Sequence, residues 1–515
     1  MAQVPPGALT RWMHVSWQGQ DYICVPDDLK TSRILAMGGL TPPGPIMREY
    51  DWPCQYDSPF DHQAKTANFL TLNPRAFVFN EIGTGKTLPA LWAADFLMKH
   101  GIVGRTLIVS TLSTLWSIWD DGLFKSLHDR TKCVVHGTKK KRLQLLAKPH
   151  DFYIINHDGL KTLCKFEELG RRGRVISGCS LNGRDDISHV IVDEGAELRN
   201  WSTDVYKAMW HIAGPDSGRT LWWMTGSPMP KAPTDIWAQA RIVNPDLVPR
   251  RYTRFRDQTM KKVSLFKWVP RKGWEDNVFA MLKPSVRYKR DECLDLPPLI
   301  VEDITVPMSK EQEKAYKSML EQYAVELAQG TITAANEGVK LIKLRQIACG
   351  AIYDAQRNVI EFDVKAKLQA LEQIINEAGR KAIVFTPFKH SIRLLQRFLE
   401  KKSFSVVVVN GDVAPKQRKN RFDSFQLGDT EVLLAHPECM SHGLDLTASA
   451  MNIWWSPIDD ASIEEQANGR ITRASQKRKQ TIIRLSCSDA ERKVYARNEK
   501  KLSTQGLLLE LLTSR

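Results

Sequence analysis

Asn80-Glu81-Ile82-Gly83-Thr84-Gly85-Lys86-Thr87 follows the apolar run Ala76-Phe77-Val78-Phe79 and precedes a stretch of helical character that reaches Met98. Strand, glycine-containing loop and helix in that order predict a phosphate-binding loop. Its two glycines let successive backbone N–H groups turn inward around phosphate oxygens, and the helix aims the positive end of its dipole at the same point. Gly83, Thr84 and Gly85 would cradle the phosphates, Lys86 would reach the β- and γ-phosphates, and Thr87 a Mg²⁺ ion. The strict pattern has Gly where this chain has Asn80. Asparagine tolerates left-handed backbone better than most residues, so the loop is still expected to close.

Beyond the loop, strand-like runs at 106–110, 152–155, 189–192 and 221–224 alternate with helix-like segments, the rhythm of a parallel α/β sheet. The third run ends in Asp193-Glu194. A carboxylate pair at the C-terminal end of a buried strand is where a nucleotide hydrolase holds Mg²⁺, here with Asp193, and orients the attacking water, here with Glu194. The fourth run leads into Thr225-Gly226-Ser227-Pro228. Its hydroxyls suit an element that senses phosphate state, and a bare turn before Pro228 accounts for the same residues.

A second α/β rhythm, with runs at 382–385, 405–409, 432–434, 451–455 and 481–485, lacks a phosphate loop. It carries Gln466-Ala467-Asn468-Gly469-Arg470-Ile471-Thr472-Arg473 instead. The i, i+3 spacing of Arg470 and Arg473 predicts that they share one helical face. From there they could offer positive charge to a nucleotide held by the first lobe. Taken alone, such a pair is more often a solvated face.

The chain has 515 residues, which predicts two to four domains. The expected division is a small β-containing appendage at 1–55, a nucleotide-binding lobe at 56–240, a basic linker and helical insertion at 241–360, a second lobe at 361–490 and a helical tail at 491–515. The formal net charge of +15 favours a polyanionic partner. Arginine and lysine interleaved with aromatic rings, including Arg250, Arg251, Arg254, Arg256 and Lys289, concentrate that charge between about 236 and 300, a pattern suited to a phosphodiester backbone. Nine cysteines form no C-x-x-C pair, and no uninterrupted apolar run has membrane-spanning length. These features, with no signal peptide at the start, lead us to expect a cytoplasmic chain without a zinc site or a membrane role. Lys139-Lys140-Lys141-Arg142 and Lys477-Arg478-Lys479 are expected as solvated loops, with nuclear addresses or phosphate contacts as the alternatives.

The ordered motifs, over residues 55 to 490, resemble a superfamily 2 helicase-type motor of the Swi/Snf-like branch of duplex-DNA translocases. Gln63 matches the adenine-reading glutamine, residues 81–87 motif I, 107–119 motif Ia, and Asp193-Glu194-Gly195-Ala196 with Leu198-Arg199-Asn200 motif II. Residues 225–228 match motif III, and Arg287 with Leu296-Pro297-Pro298 the segment after it; Ile383-Val384-Phe385, 443–448 and 466–473 with Gln476 match motifs IV to VI. Gly195-Ala196, Asp445 and Thr111 depart from the commoner residues.

The resemblance implies two tandem RecA-like lobes of α/β class, ATP and Mg²⁺ as cofactors, and DNA, duplex or branched, as partner. It places Gly443, Asp445 and Gln466 at the nucleotide, Arg470 and Arg473 as arginine fingers, and Ser110, Thr111, Trp119 and Thr225 at the nucleic acid. The compact layout, with hardly anything beyond the two lobes, leads us to expect a bacterial or phage protein, and a monomer. An RNA-directed helicase and a scaffold that uses ATP only as a switch remain alternatives.

Overall fold

The structure, a computed structural model, describes residues 9, 11–54, 58–168, 174–229, 232–263, 268–293, 297–328, 334–353, 359–379, 381–440, 446–472 and 476–500. They form two compact units, one ending at Cys293 and the other built from the described residues 297–500.

The first unit holds a seven-stranded sheet in the order Ser285–Val286, Arg75–Val78, Thr220–Met224, His189–Val192, Thr106–Ser110, Phe152–Asn156, Lys132–Val134, parallel throughout. Side chains alternate between its faces because the strand period is two. Ala76, Val78, Ile108, Ile191 and Trp222 pack with helices Asp61–Leu72 and Thr87–Lys99. Phe77, Leu107, Val109, Val190 and Trp223 pack on the other side with Asp204–Ala213 and Ile236–Val243. Burial on both faces is why these strands read as continuous apolar runs.

The second unit repeats the plan with six parallel strands, ordered Leu299–Thr305, Gln480–Ser486, Met451–Trp454, Ala382–Phe385, Val432–Ala435, Val406–Val409. Ala382, Val384, Leu434, Ile453 and Ile483 face one core, and Ile383, Phe385, Leu433, Trp454 and Ile482 the other.

The stretch 241–360 is divided between the units. Ser285–Val286 adds an edge strand beside Arg75–Val78, while Leu299–Thr305 edges the second sheet. The latter is mostly exposed, and Glu302 and Asp303 at its centre interrupt its apolar run. At the other end of the chain, Ile46 and Tyr50 lie in the core around helix Asp61–Leu72, and the Tyr50 hydroxyl donates to Asp95 Oδ2 at 2.8 Å. Residues 29–54 therefore pack on the first unit, and the hairpin Met13–Trp17 with Gln20–Cys24 pairs with itself.

One expected loop is a helix. The basic run at 139–142 opens Lys139–Ala147, N-capped by the Thr138 hydroxyl. Arg142 is buried there, donating to the carbonyls of Gly137 at 2.9 Å and Val135 at 2.6 Å and to Asn156 Oδ1 at 3.0 Å. The capping hydroxyl and the buried guanidinium outweigh repulsion among three solvated lysines.

Candidate active site

Parallel strands send their C-terminal ends to one edge of a sheet, where α/β folds bind ligands. Strands Arg75–Val78, Thr220–Met224 and His189–Val192 are neighbours, so the loop at 80–87, Thr225-Gly226 and Asp193-Glu194 all leave the first sheet from adjacent positions on that edge.

Gly83 and Gly85 have φ of +95° and +78°, a region that glycine enters freely. A Cβ at Gly85 would lie 2.5 Å from Gln63 Nε2, so this glycine also makes room for the glutamine. Gln63 is buried and donates to the Thr84 and Gly85 carbonyls at 3.4 Å each, while His62 Nε2 donates to the Thr84 carbonyl at 2.9 Å. Lys86 Nζ donates to the carbonyls of Asn80 at 2.8 Å and Glu81 at 3.3 Å, which holds the ammonium over the loop; Thr87 begins the helix.

Asn80 does not adopt the left-handed backbone expected of it. Its side chain acts as a clamp instead. Nδ2 donates to Thr66 Oγ1 at 3.0 Å, and Oδ1 accepts from the Tyr288 N–H at 3.0 Å. Glu81 extends the clamp by accepting from Arg287 Nη2 at 2.9 Å and from the Arg290 N–H at 3.0 Å. His62, Arg287 and Tyr288 are thus supports of the loop that sequence reading missed. His62 could have been found beside Gln63, but nothing local links the other two to a loop some two hundred residues away.

Asp193 is buried, and two neutral donors orient its carboxylate: the Trp119 indole N–H reaches Oδ2 at 3.0 Å and the Glu194 N–H reaches Oδ1 at 3.1 Å. His157 Nε2 donates to the Asp193 carbonyl at 2.9 Å. Glu194 has φ +50° and ψ +49°, a left-handed conformation that costs a β-carbon residue on the order of 1 kcal/mol and recurs at functional sites. The following glycine has a steric cause, since a Cβ at Gly195 would fall 1.9 Å from the indole nitrogen of Trp223. Gly226 lies against the phosphate loop, its missing Cβ 3.2 Å from Ile82 Cγ1.

Three expected nucleic-acid contacts are corrected. Ser110, Trp119 and Thr225 are all fully buried. Ser110 bonds to the Thr114 hydroxyl, Trp119 to Asp193, and the Thr225 hydroxyl accepts from the Ser227 N–H at 3.2 Å. Ser110 and Thr225 turn inward to partners four and two residues on, and Trp119 to one 74 residues away. Thr111 stays partly exposed, with its hydroxyl 3.1 Å from that of Ser113. Arg250, Arg251 and Arg254 are exposed and line an open depression with Thr253, Asp257 and Gln258. Arg256 instead stacks 4.0 Å from the Trp268 ring and pairs with Asp257, while Lys289 pairs with Glu292 at 3.4 Å.

In the second unit, Gln466 lies on helix Ala461–Asn468, but Arg470 stands beyond its end, in a turn closed by its N–H to the Ala467 carbonyl. The shared helical face is therefore corrected at Arg470, because the helix stops at Asn468. There the Asn468 side chain instead accepts from Trp454 Nε1 at 3.0 Å and Asn452 Nδ2 at 3.2 Å. Arg470 is buried, its Nε donating to the Met440 carbonyl at 3.0 Å. Gln476 Nε2 donates to the Ser449 and Ile471 carbonyls at 2.8 and 3.2 Å, and Arg478 Nη2 to the Thr447 carbonyl at 2.9 Å. These bonds lace segment 446–449 to the arginine turn; the run at 477–479 is an irregular segment with both lysines exposed, as expected, and only Arg478 turns its side chain inward. Gly443, Asp445 and Arg473 lie outside the described residues.

A family model described as the SNF2-related domain matches residues 12–351, more than half of the chain. The chain belongs to the SNF2-related family. The helicase conserved C-terminal domain matches residues 366–475, so each sheet lies largely within one matched region and the two units are the RecA-like lobes of an ATP-dependent motor of the helicase type. Among similar proteins, the putative protein p41 of Acyrthosiphon pisum secondary endosymbiont phage 1 is 28% identical, covering 88% of this chain and 98% of its own. Nuclear protein STH1/NPS1 of Saccharomyces cerevisiae is 23% identical over 84% of this chain and 33% of its own. The uncharacterized ATP-dependent helicase MG018 of Mycoplasma genitalium is 27% identical, with coverage of 84% and 40%. The chain thus spans well under half the length of these last two. The Sulfolobus solfataricus SWI2/SNF2 ATPase core, solved in complex with dsDNA, is 19% identical with a TM-score of 0.40 and coverage of 90% and 94%.

Proposed function

We propose that this SNF2 motor hydrolyses ATP with Mg²⁺ and uses the cycle to track along DNA, duplex or branched, as in fork remodelling, branch migration or displacement of bound protein. The observation that carries the reading is the meeting of the phosphate loop, the Asp193-Glu194 pair and Thr225-Gly226 at one edge of the first sheet. Lys86 and the Gly83–Gly85 backbone bind phosphate, Gln63 reads the adenine, and Glu194 orients water. Arg470 and Arg473 neutralise charge that develops on the γ-phosphate. A carboxylate and a threonine hydroxyl are the hard oxygen donors that Mg²⁺ takes, so Asp193 and Thr87 fit the ion, and neither donor on Asp193 named above carries a competing charge. Held by Asp193 and Thr87, the ion would offset negative charge on the phosphates.

DNA as the polyanion is supported by the family, by the net charge of +15 and by the exposed arginines at 250, 251 and 254. The nearly full-length likeness to a phage protein favours action in a bacterial or phage-infected cell, where we expect a cytoplasmic protein. The test is steady-state hydrolysis without nucleic acid and with linear duplex, forked or four-way DNA, single-stranded DNA and RNA at one low salt concentration. Stimulation by duplex, and more by branched DNA, is expected. Stimulation by RNA alone would overturn the substrate and leave the ATP site standing.

A further inference from the structure

The segment after strand Thr106–Ser110 is a π-helix, Leu115–Asp120, that runs into the α-helix Asp121–Ser126. Such turns are rare and occur frequently at functional sites. Trp116 and Trp119 are three residues apart and would lie close together on an α-helix. The wider π turn separates them further round the axis: Trp116 is 46% exposed, its ring edge-on to His136, whereas Trp119 is fully buried. Leu115 and Trp119 are packed into the core that also holds Leu91, Ile108, Ile154 and Ile191. From that fixed seat the indole N–H meets Asp193 Oδ2 at 3.0 Å.

We propose that Trp119 is a positioning residue for the metal-binding carboxylate, held in place by the π-helix; this rests on the assignment of Asp193 as a Mg²⁺ ligand. The chemistry suits the task. A carboxylate beside a cation can rotate about its Cβ–Cγ bond, and each orientation presents different lone pairs. One donor on each oxygen stops that rotation, and here the Glu194 N–H holds Oδ1 while Trp119 holds Oδ2. The indole is a donor only and carries no charge, so it orients the oxygen without repelling a divalent ion. Its body is wedged in a packed core, so the bond survives when phosphates or water change around the site. Groups that orient a ligating carboxylate set metal affinity as well as rate.

The experiment compares Trp119→Phe with Trp116→Phe and Asp193→Asn in the full chain. It reads Mn²⁺ binding in the presence of ADP by electron paramagnetic resonance, and ADP affinity in the absence of divalent metal. Trp119→Phe keeps an aromatic ring and loses the N–H. It is expected to weaken Mn²⁺ binding by roughly tenfold, with metal-free ADP affinity unchanged and Trp116→Phe like the parent. Benzothienylalanine introduced at position 119 keeps the shape of the indole without its donor; it should show the same loss, and it serves if the phenylalanine variant folds poorly. Parent-like Mn²⁺ affinity in the position-119 variants, with binding lost in Asp193→Asn, would overturn the positioning role alone. Parent-like Mn²⁺ affinity in Asp193→Asn as well would overturn the metal site, and the proposal with it. An equal loss in Trp116→Phe would mean a general disturbance of the helix and would also overturn it.

Discussion

In the first unit the candidate residues stand at the ends of three adjacent strands, and neighbours hold them there: Thr66 and Tyr288 hold Asn80, Arg287 holds Glu81, and Trp119 holds Asp193. In the second unit Arg470, Gln476 and Arg478 give donors to main-chain carbonyls at 440, 447, 449 and 471. The first set builds a polar edge with its geometry already supported from behind. The second set staples two motif segments to each other. The first unit therefore keeps its polar groups at a strand edge with partners behind them, while the second commits these donors to its own main chain.

The largest expected effect breaks the first side of this comparison. Lys86→Ala should lower hydrolysis by about a thousandfold or more while DNA binding, read by fluorescence anisotropy, persists; turnover like the parent's would remove the loop from the site. Arg470→Ala should cost roughly a hundredfold in turnover with ATP binding retained. If ATP binding and the unfolding transition of the second unit collapse together instead, the arginine is a staple and nothing more.

Replacing Arg250, Arg251 and Arg254 together by alanine should weaken duplex binding and lower the slope of log affinity against log salt by up to about three, one for each phosphate no longer neutralised. Hydrolysis without DNA should not change, and an unchanged slope would place the DNA elsewhere.

Two smaller effects sharpen the comparison through stability. Asn80→Gly restores the strict loop pattern yet removes both clamp bonds, so urea unfolding of the first unit should show a loss of about 2 kcal/mol. A stability equal to the parent's would deny the clamp. Acid should weaken both units, since each buries a neutral histidine: burial pushes His189 down to about 3 in the first and His390 down to about 4 in the second. The unfolded side chains take up protons below about 6.5 while the folded ones stay neutral, so the contribution is complete above that pH and shrinks as pH falls. At pH 5.5 each should cost about 1.2 kcal/mol relative to pH 7. Urea titrations at the two pH values check this, and His189→Gln should flatten the dependence in the first unit alone.

Much of the architecture was legible in advance because it is written in short-range terms. Runs buried on both faces announced the central strands of both sheets, and the glycines at 83 and 85 announced a loop with positive φ. Edge strands were not legible: Ser285–Val286 is two residues long, and Leu299–Thr305 is a mostly exposed ribbon whose apolar run is interrupted by acids, so neither has an apolar period to detect. Trp119 was recognised as part of a motif and given the wrong direction, because the inward turn depends on a π-helical register that residue types do not encode locally.

By itself the sequence determined the order of strands and motifs, the class of each sheet and the chemistry on offer at Lys86, Thr87, Asp193, Glu194 and Arg470, because spacing and period act within a few residues. Only the tertiary structure decided what holds those groups. Asn80 bonds to residues 14 and 208 positions away and Trp119 to one 74 away. Pairings of that separation exist only once the sheet has assembled, when a buried donor or acceptor must find whichever partner the packing brings beside it.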